Sequence, residues 1–130
     1  MTFNIRHGRG LDGKVDLLRI AKVIQQENID IVALNEVDQA FSKRSDYVDQ
    51  ASSLANFLEM DFVFGPSLIF KGRRYGNAIL SRSKITKHQN HIFRYSFAEP
   101  RAVLEATIFK DSSYIHVLAS HFSIHPVLQR

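Results

Sequence analysis

The chain has 130 residues, of which 45% are hydrophobic and 23% charged, and it contains no cysteine. This length and balance fit one compact globular domain and argue against disorder. The lack of cysteine excludes a disulfide framework, a thiol nucleophile and a zinc–thiolate site. Seventeen basic and thirteen acidic residues give a net charge of +4 and a pI of about 9.6, a balance compatible with an anionic partner and also ordinary for a soluble domain.

No apolar run approaches the roughly 20 residues that a membrane-spanning helix needs. The N-terminal segment Met1–His7 has no apolar stretch long enough for a secretory signal. We therefore expect a cytoplasmic protein without stable membrane insertion.

The first third of the sequence predicts a strand, a helix and a second strand. Phe3–Ile5 suits a short strand, and apolar residues three or four apart predict an amphipathic helix over Lys14–Glu27. Asp12 or Asp16 would supply negative charge at the start of that helix. Ile31–Leu34 is a continuous apolar run typical of a buried strand. The right-handed crossover rule places the two strands parallel in one sheet.

A second helix is predicted over Tyr47–Leu58, and short strands follow it. Their spacing indicates a run of antiparallel hairpins. The fold class is therefore a mixed α/β (α+β) layered domain with its helices outside the sheet. The predicted strands are Phe62–Phe64, Ser67–Phe70, Tyr75–Ser81, Thr86–Tyr95, Ala102–Phe109 and Tyr114–Phe122.

Four segments that end in polar residues carry a family resemblance. They are Thr2–Arg6, Asp30–Asp38, Arg74–Arg82 with Glu99–Arg101 after it, and His116–Phe122. In this order, over nearly the whole chain, they resemble the endonuclease/exonuclease/phosphatase superfamily of DNase I-like, metal-dependent phosphoesterases. The resemblance implies a four-layer αββα sandwich, of which residues 1–130 form one partial domain.

The resemblance also implies the roles of particular residues. Glu36 and Asn4 match metal-site residues, and His121 matches a histidine that contacts the scissile phosphate. Asn77 and Arg101 match positions that line the cleft and are carried over as catalytic residues.

Two departures from the family pattern stand out. Asn35 occupies the place of the usual glutamine. The family's later Gly-Asp-Phe-Asn segment and its final Asp-His pair have no counterpart, so the C-terminal half of the domain is expected to be absent. Such a half sandwich would expose apolar sheet surface. We therefore expect self-association, and we expect the chain alone to be incomplete or inactive.

The chemistry of these side chains agrees with the implied activity. Mg²⁺, or Mn²⁺ in its place, prefers hard oxygen ligands such as the Glu36 carboxylate and usually takes only one or two carboxylates from the protein. His121 could bind a phosphoryl oxygen, and Arg101 could add a guanidinium fork. We therefore expect metal-dependent hydrolysis, with a phosphodiester preferred. The substrate could be nucleic acid, a phospholipid or a small phosphoester.

Plainer interpretations of the same residues stay open. Glu36 could cap a turn, Asn4 could be a loop residue, and His121 shares strand parity with Val117 and Ala119 and could belong to the core. The remaining histidines show no metal-ligand spacing and are interpreted as structural or solvated; they are His7, His88, His91, His116 and His125.

A second functional hypothesis is a non-catalytic module that binds a polyanion such as nucleic acid. Its basis is the positive charge together with the missing catalytic segments. The sequence offers little more for it, because its basic clusters suit solvated loops and form no continuous or aromatic-interleaved stripe. These clusters are Lys43–Arg44 and Lys71–Arg74.

Overall fold

A computed structural model describes residues 1–95 and 98–122 and confirms the mixed α+β class. Within these ranges the chain forms seven strands and two helices. In chain order they are β1 (Thr2–Asn4), α1 (Leu17–Gln26), β2 (Ile31–Gln39), α2 (Gln50–Leu58), β3 (Asp61–Phe70), β4 (Arg73–Ser81), β5 (Ile85–Tyr95), β6 (Ala98–Lys110) and β7 (Ser113–Ser120).

The strands form two sheets. The first has the order β1-β2-β4-β3, with β1 parallel to β2 and the other pairs antiparallel. The second is the antiparallel sheet β5-β6-β7. The predicted parallel pair around α1 and the predicted hairpins are therefore confirmed.

Two apolar cores hold the layers together. Both helices pack on the outer face of the first sheet, where Ile24 of α1 and Leu54 of α2 are fully buried with Val32, Leu34 and Leu80. The second core lies between the sheets and joins Val63 and Ile79 to residues of β6 and β7, namely Leu104, Ala106, Ile108 and Ala119. The layers therefore run helices, first sheet, second sheet.

Each helix begins three residues later than predicted, because an aspartate caps it. The Asp16 carboxylate accepts a hydrogen bond from the Arg19 backbone N–H at 3.0 Å, and α1 begins at the next residue, Leu17. Asp49 accepts from the Ser52 backbone N–H at 3.1 Å and caps α2 in the same way. An N-cap residue has extended backbone, so the residues before it lie outside the helix.

The two short strands predicted over Phe62–Phe64 and Ser67–Phe70 form one strand, so that prediction is corrected. The backbone continues through Pro66, with a register shift between Pro66 and Leu68. A proline inside a strand is tolerated here because β3 is an edge strand, where the missing N–H removes no ladder bond, and because the shift lies next to it.

The edge strand β7 carries apolar side chains in contact with solvent. Tyr114 and Leu118 are each 66% exposed, and Phe122, which follows the strand, is 73% exposed. No helix within residues 1–95 and 98–122 is long and apolar enough to cross a membrane.

Candidate active site

Four of the five predicted site residues line one small pocket where the two sheets meet. They are Glu36, Asn77, Arg101 and His121, and Tyr75 lies beside them. The fifth, Asn4, is hydrogen bonded to Glu36. The fold thus brings together residues from β1, β2, β4, β6 and the end of β7, while their individual roles stay predictions.

Glu36 lies inside β2 and not at its end as predicted, because the strand continues to Gln39. The pairing of β2 with β4 shifts register between Leu34 and Val37, and Glu36 sits in this bulge with a φ of +57°. A side chain in the left-handed region is strained, and such strain is concentrated at functional sites. Bulges re-aim side chains, and here the bulged residue is the one whose carboxylate lines the pocket.

Asn4 holds the Glu36 carboxylate in one orientation. Its Nδ2 donates to Glu36 Oε1 at 2.8 Å, while its Oδ1 accepts from the Arg6 backbone N–H at 3.0 Å. Within the described part of the chain, Glu36 Oε2 has no hydrogen-bond partner. The amide therefore positions one carboxylate oxygen and leaves the other available.

His121 directly follows β7 and is only half-buried. Its Nε2 lies 3.5 Å from Glu36 Oε1, close enough for an ion pair when the imidazole is protonated. Ala119, two residues earlier, is buried between the sheets. The strand ends at Ser120, so His121 leaves the core layer that its strand parity alone would have given it.

Arg101, on β6, has a donor without a partner. Its Nη1 donates to Glu99 Oε1 at 3.1 Å, but its buried Nε finds no partner among residues 1–95 and 98–122. Buried guanidinium donors are nearly always hydrogen bonded in folded proteins. The guanidinium of this pocket-lining arginine is the kind of group that binds an anion.

Two buried asparagines connect the sheets beneath the pocket. Asn35 Nδ2 donates to Asn77 Oδ1 at 2.9 Å and to the Ser120 carbonyl at 3.1 Å. Asn77 Nδ2 donates to the Ala102 carbonyl at 3.1 Å. Both groups of the Asn77 amide are thus bonded within the protein, so this residue supports the floor of the pocket, and a direct catalytic role for it stays a prediction.

Sequence reasoning missed the cluster around Arg44. Its Nη2 and Nε donate to the two oxygens of Asp38 at 2.7 and 3.0 Å, and Ser45 Oγ donates to the same carboxylate at 2.6 Å. Asp38 is wholly buried. The spacing of Asp38, two residues after Glu36 and six before Arg44, was a usable signal for an ion pair near the site. The contact between Asp38 and Arg44 nevertheless depends on the conformation of the loop between them.

The basic clusters are also interleaved with aromatic rings, so the prediction that they would not be is wrong. The Arg44 guanidinium lies over Phe41 and Tyr75, 5.2 and 5.5 Å from the ring centroids. Arg73 lies over Tyr47 at 4.9 Å, and Lys71 lies over Phe70 at 5.5 Å. Two of these pairs, Arg44 with Tyr75 and Arg73 with Tyr47, join residues that are distant in sequence, so the linear sequence does not show them.

Burial and nearby charges keep Tyr75, which lines the pocket, and His7, which does not, in their neutral forms. Burial, and then the charges of Glu36 and Glu99, raise the pKa of the Tyr75 phenol, so the phenol stays protonated. Burial, and then the nearby Arg44, lower the pKa of the His7 imidazole. Tyr75 is therefore a hydrogen-bond donor at neutral pH and His7 is uncharged.

The remaining histidines do not add a metal site. His88, His91 and His116 are exposed on the second sheet, and His125 lies outside the described residues. Across those residues, no three histidine or acidic side chains come together as a ligand group.

The donor set at Glu36 nevertheless fits Mg²⁺. The ion usually binds one or two protein carboxylates and takes its remaining ligands from water and phosphate. Glu36 offers one oxygen that the described residues leave unpaired, and Asn4 fixes the other.

An acid, an imidazole and a guanidinium thus lie in one pocket at the junction of the two sheets. Residues 1–127 match the family model described as Endonuclease/Exonuclease/phosphatase family. The chain therefore belongs to the endonuclease/exonuclease/phosphatase family, and the predicted resemblance is confirmed.

Several known proteins are similar to this chain in sequence or structure. YbhP of Escherichia coli K12 is 27% identical over 133 residues, which cover 95% of this chain and 53% of YbhP. The endonuclease/exonuclease/phosphatase of Beutenbergia cavernae is 27% identical with a TM-score of 0.78, over 94% of this chain and 37% of that one. A family protein from Leptotrichia buccalis has 20% identity and a TM-score of 0.69, over 94% and 52%, and supports the fold alone.

The chain spans about half the length of the curated relatives that it matches.

Proposed function

We propose that the protein containing this chain is a Mg²⁺-dependent phosphoesterase that preferentially hydrolyses phosphodiesters. The observation that carries the proposal is the pocket itself, where Glu36, Arg101 and His121 line a common space. The pocket thus offers a carboxylate for a hard cation, and a guanidinium and an imidazole for a phosphate, which is the set that phosphoester hydrolysis needs.

Each side chain has a separate task in this proposal. The Arg101 guanidinium donates to a phosphoryl oxygen, and Glu99 holds its Nη1 in place. The His121 imidazole also lines the pocket, where its protonated form would stabilise developing negative charge. Tyr75 supplies a wall that carries no charge because its phenol stays protonated.

The Glu36 carboxylate is the group that would hold Mg²⁺, through the oxygen that Asn4 leaves free. When bound, the ion neutralises phosphoryl charge and activates water. Asn4 contributes by fixing the carboxylate, since its amide donates to Glu36 and its oxygen is bonded to the Arg6 backbone.

The test is hydrolysis of an aryl phosphodiester and of an aryl phosphomonoester by the full-length protein with Mg²⁺ or Mn²⁺. We expect faster turnover of the diester, loss of turnover with a chelator, and a fall of at least about 100-fold in Glu36→Ala. Glu105→Gln is the matched control, because this 41% exposed carboxylate lies on the second sheet away from the pocket.

Undiminished turnover in Glu36→Ala would reject the proposal. Binding of a polyanion without hydrolysis of either ester, at any metal concentration, would instead support the non-catalytic module.

A further inference from the structure

A buried glutamine, Gln50, joins the two segments that carry Asn4 and Glu36. Its side chain is wholly buried at the start of α2. Its Nε2 donates to the His7 carbonyl at 2.8 Å, and its Oε1 accepts from the Asp38 backbone N–H at 3.0 Å. His7 comes three residues after Asn4, and Asp38 comes two residues after Glu36. One side-chain amide therefore ties the chain that follows Asn4 to the chain that follows Glu36.

This connection lies where the strands β1 and β2 stop pairing. The last pair of their parallel ladder is Asn4 with Asn35, and one further backbone bond joins the Ile5 N–H to the Asn35 carbonyl. β2 continues to Gln39, beyond the end of β1. Buried backbone groups need hydrogen-bond partners, and Gln50 supplies them for one N–H and one carbonyl past the end of the ladder.

The turn that Gln50 holds after β1 is strained. Arg6, His7 and Gly8 have φ values of +47°, +47° and +80°, which makes three left-handed residues in succession. Only glycine adopts this region readily, and such strain persists only where the surrounding contacts enforce it. The hydrogen bond from Gln50 acts on the carbonyl of His7, the middle residue of the turn. The turn therefore depends on Gln50 more than a relaxed loop would.

The strained turn reaches the pocket through Asn4. The Arg6 backbone N–H donates to Asn4 Oδ1 at 3.0 Å, and Asn4 Nδ2 donates to Glu36 Oε1 at 2.8 Å. A shift of the turn would move the Arg6 N–H and release the Asn4 amide. A continuous series of hydrogen bonds and peptide bonds thus leads from Gln50 to the carboxylate that lines the pocket.

Gln50 is itself fixed relative to β2. Asp38, whose N–H it accepts, is wholly buried, and its carboxylate accepts two hydrogen bonds from Arg44 at 2.7 and 3.0 Å. Asp49, the residue before Gln50, accepts from Gln39 Nε2 at 2.7 Å. Two residues of β2 thus anchor the start of α2, so the position of Gln50 can set the position of the turn.

We propose that Gln50 is a positioning residue for the reaction. It holds the turn that orients Asn4, and through Asn4 it fixes the Glu36 carboxylate for the metal ion. The inference rests on the proposed phosphoesterase function and adds to it a residue of the helix layer that does not line the pocket. Hydrogen-bond partners outside the ligands have this effect at metal sites, where they orient the ligating groups.

The experiment compares Gln50→Met with the unsubstituted full-length protein. Methionine has nearly the shape of glutamine, but it donates no hydrogen bond to the His7 carbonyl and its thioether is only a weak acceptor for the Asp38 N–H. Leu58→Ala is the matched control. Leu58 is a buried residue at the end of the same helix, so its truncation lowers stability without touching the turn.

Three quantities are measured well below the Tm of every variant. They are the affinity for Mn²⁺ alone by electron paramagnetic resonance, kcat and KM for the aryl phosphodiester, and the side-chain amide signals in nitrogen–proton correlation spectra of the metal-free protein. The signals of Asn4 are those missing from the spectrum of Asn4→Ala.

We expect Gln50→Met to weaken Mn²⁺ binding about tenfold, the lower end of the range for outer partners of metal ligands. At a fixed metal concentration kcat should fall, while KM for the ester stays within about twofold because Arg101 and His121 are not disturbed. The Asn4 amide signals should shift in the metal-free protein. Leu58→Ala should lower Tm and leave all three quantities unchanged.

Two further variants test the connection itself. If Gln50 acts through Asn4, the double variant Asn4→Ala with Gln50→Met should bind Mn²⁺ about as weakly as Asn4→Ala alone, because coupled losses do not multiply. Gln50→Asn keeps the amide but shortens it, so that it can reach one partner and not both. It should give the same direction of change, and it tests the inference where melting curves show that Gln50→Met is not folded.

Three results would overturn the inference. They are unchanged Mn²⁺ affinity and Asn4 signals in a folded Gln50 variant, an equal loss in Leu58→Ala, and losses that multiply in the double variant. Failure of the proposed function looks different. In that case Glu36→Ala would leave Mn²⁺ binding and turnover unchanged, while Gln50→Met would still shift the Asn4 signals and the positioning of that amide would stand.

Discussion

Replacing Asn77 by alanine should destabilise the protein by disconnecting its two sheets under the pocket. Asn77 is 2% exposed, accepts from Asn35 at 2.9 Å and donates to the Ala102 carbonyl at 3.1 Å. Two buried hydrogen bonds contribute about 1 kcal/mol each, and the cavity left by the amide adds to this. We therefore expect a loss of about 2–4 kcal/mol in the free energy of unfolding.

The assay is thermal and urea denaturation followed by circular dichroism. An unfolding entropy of about 2.1 cal/mol/K per residue, over 130 residues, gives about 0.27 kcal/mol/K. The expected loss then corresponds to a fall in Tm of about 7–15 °C. Asn56→Ala is the control, because Asn56 is exposed on α2, where alanine is the better helix former.

A fall in Tm of less than about 2 °C in Asn77→Ala would refute this reasoning. It would mean that the polar bridge adds nothing to the apolar contacts between the sheets. Because Ser120, the other partner of Asn35, directly precedes His121, we also expect phosphoesterase turnover to fall in the same variant.

Three further predictions concern the pH dependence of stability, at Tyr75 and at Asp30, and the exposed edge strand β7. The raised pKa of Tyr75 means that the folded state retains the phenol proton, so stability is lost as pH rises above the ordinary value of 10.0. Tyr75→Phe should remove the last phase of the ultraviolet alkaline titration, and an unchanged titration would contradict this. The hydrogen bond from Lys110 lowers the pKa of Asp30. The ionised Asp30 therefore stabilises the folded state above the ordinary pKa of 3.8, and this stabilisation is lost as pH falls below that value. Asp30→Asn should reduce the acid dependence of Tm, and an equal dependence in both proteins would contradict the prediction. Leu118, which is 66% exposed on the edge strand β7, should promote self-association of the 130-residue chain. Leu118→Lys should therefore lower the sedimentation coefficient at high concentration. A monomeric unsubstituted chain would contradict this prediction.

The sequence predicts the elements well where one periodicity dominates. The buried run Ile31–Leu34 and the amphipathic spacing of the residues that became α1 suffice for the parallel pair, because they have few alternative interpretations. The same signals cannot set the helix starts, which depend on the capping carboxylates of Asp16 and Asp49. They also cannot show that β3 passes through Pro66, since this requires knowing that the strand lies at an edge.

The site residues were predictable only through the family resemblance, because no period in the sequence indicates that they meet. In the structure Arg101 and His121 come together because β6 and β7 are neighbours in the second sheet. The arrangement of cations over rings was not predictable, because Arg73 and Tyr47 meet only after β4 and the loop before α2 are in place. Such contacts depend on side-chain directions that no sequence period encodes.

The bulge at Glu36 explains how a carboxylate can occupy the middle of a buried strand. Val32 and Leu34 face the helices, and in a regular strand the next residue on that face would be Glu36. Instead Val37 is the next residue buried in the helix-facing core, so one extra residue lies between Leu34 and Val37. The extra residue reverses which side chains of β2 face the helices, so Glu36 does not enter the apolar layer, where an unpaired charge would be destabilising. Glu36 therefore adopts a left-handed φ, which is strained. This local strain accompanies the placement of a charged side chain at the pocket, while the rest of β2 keeps its packing.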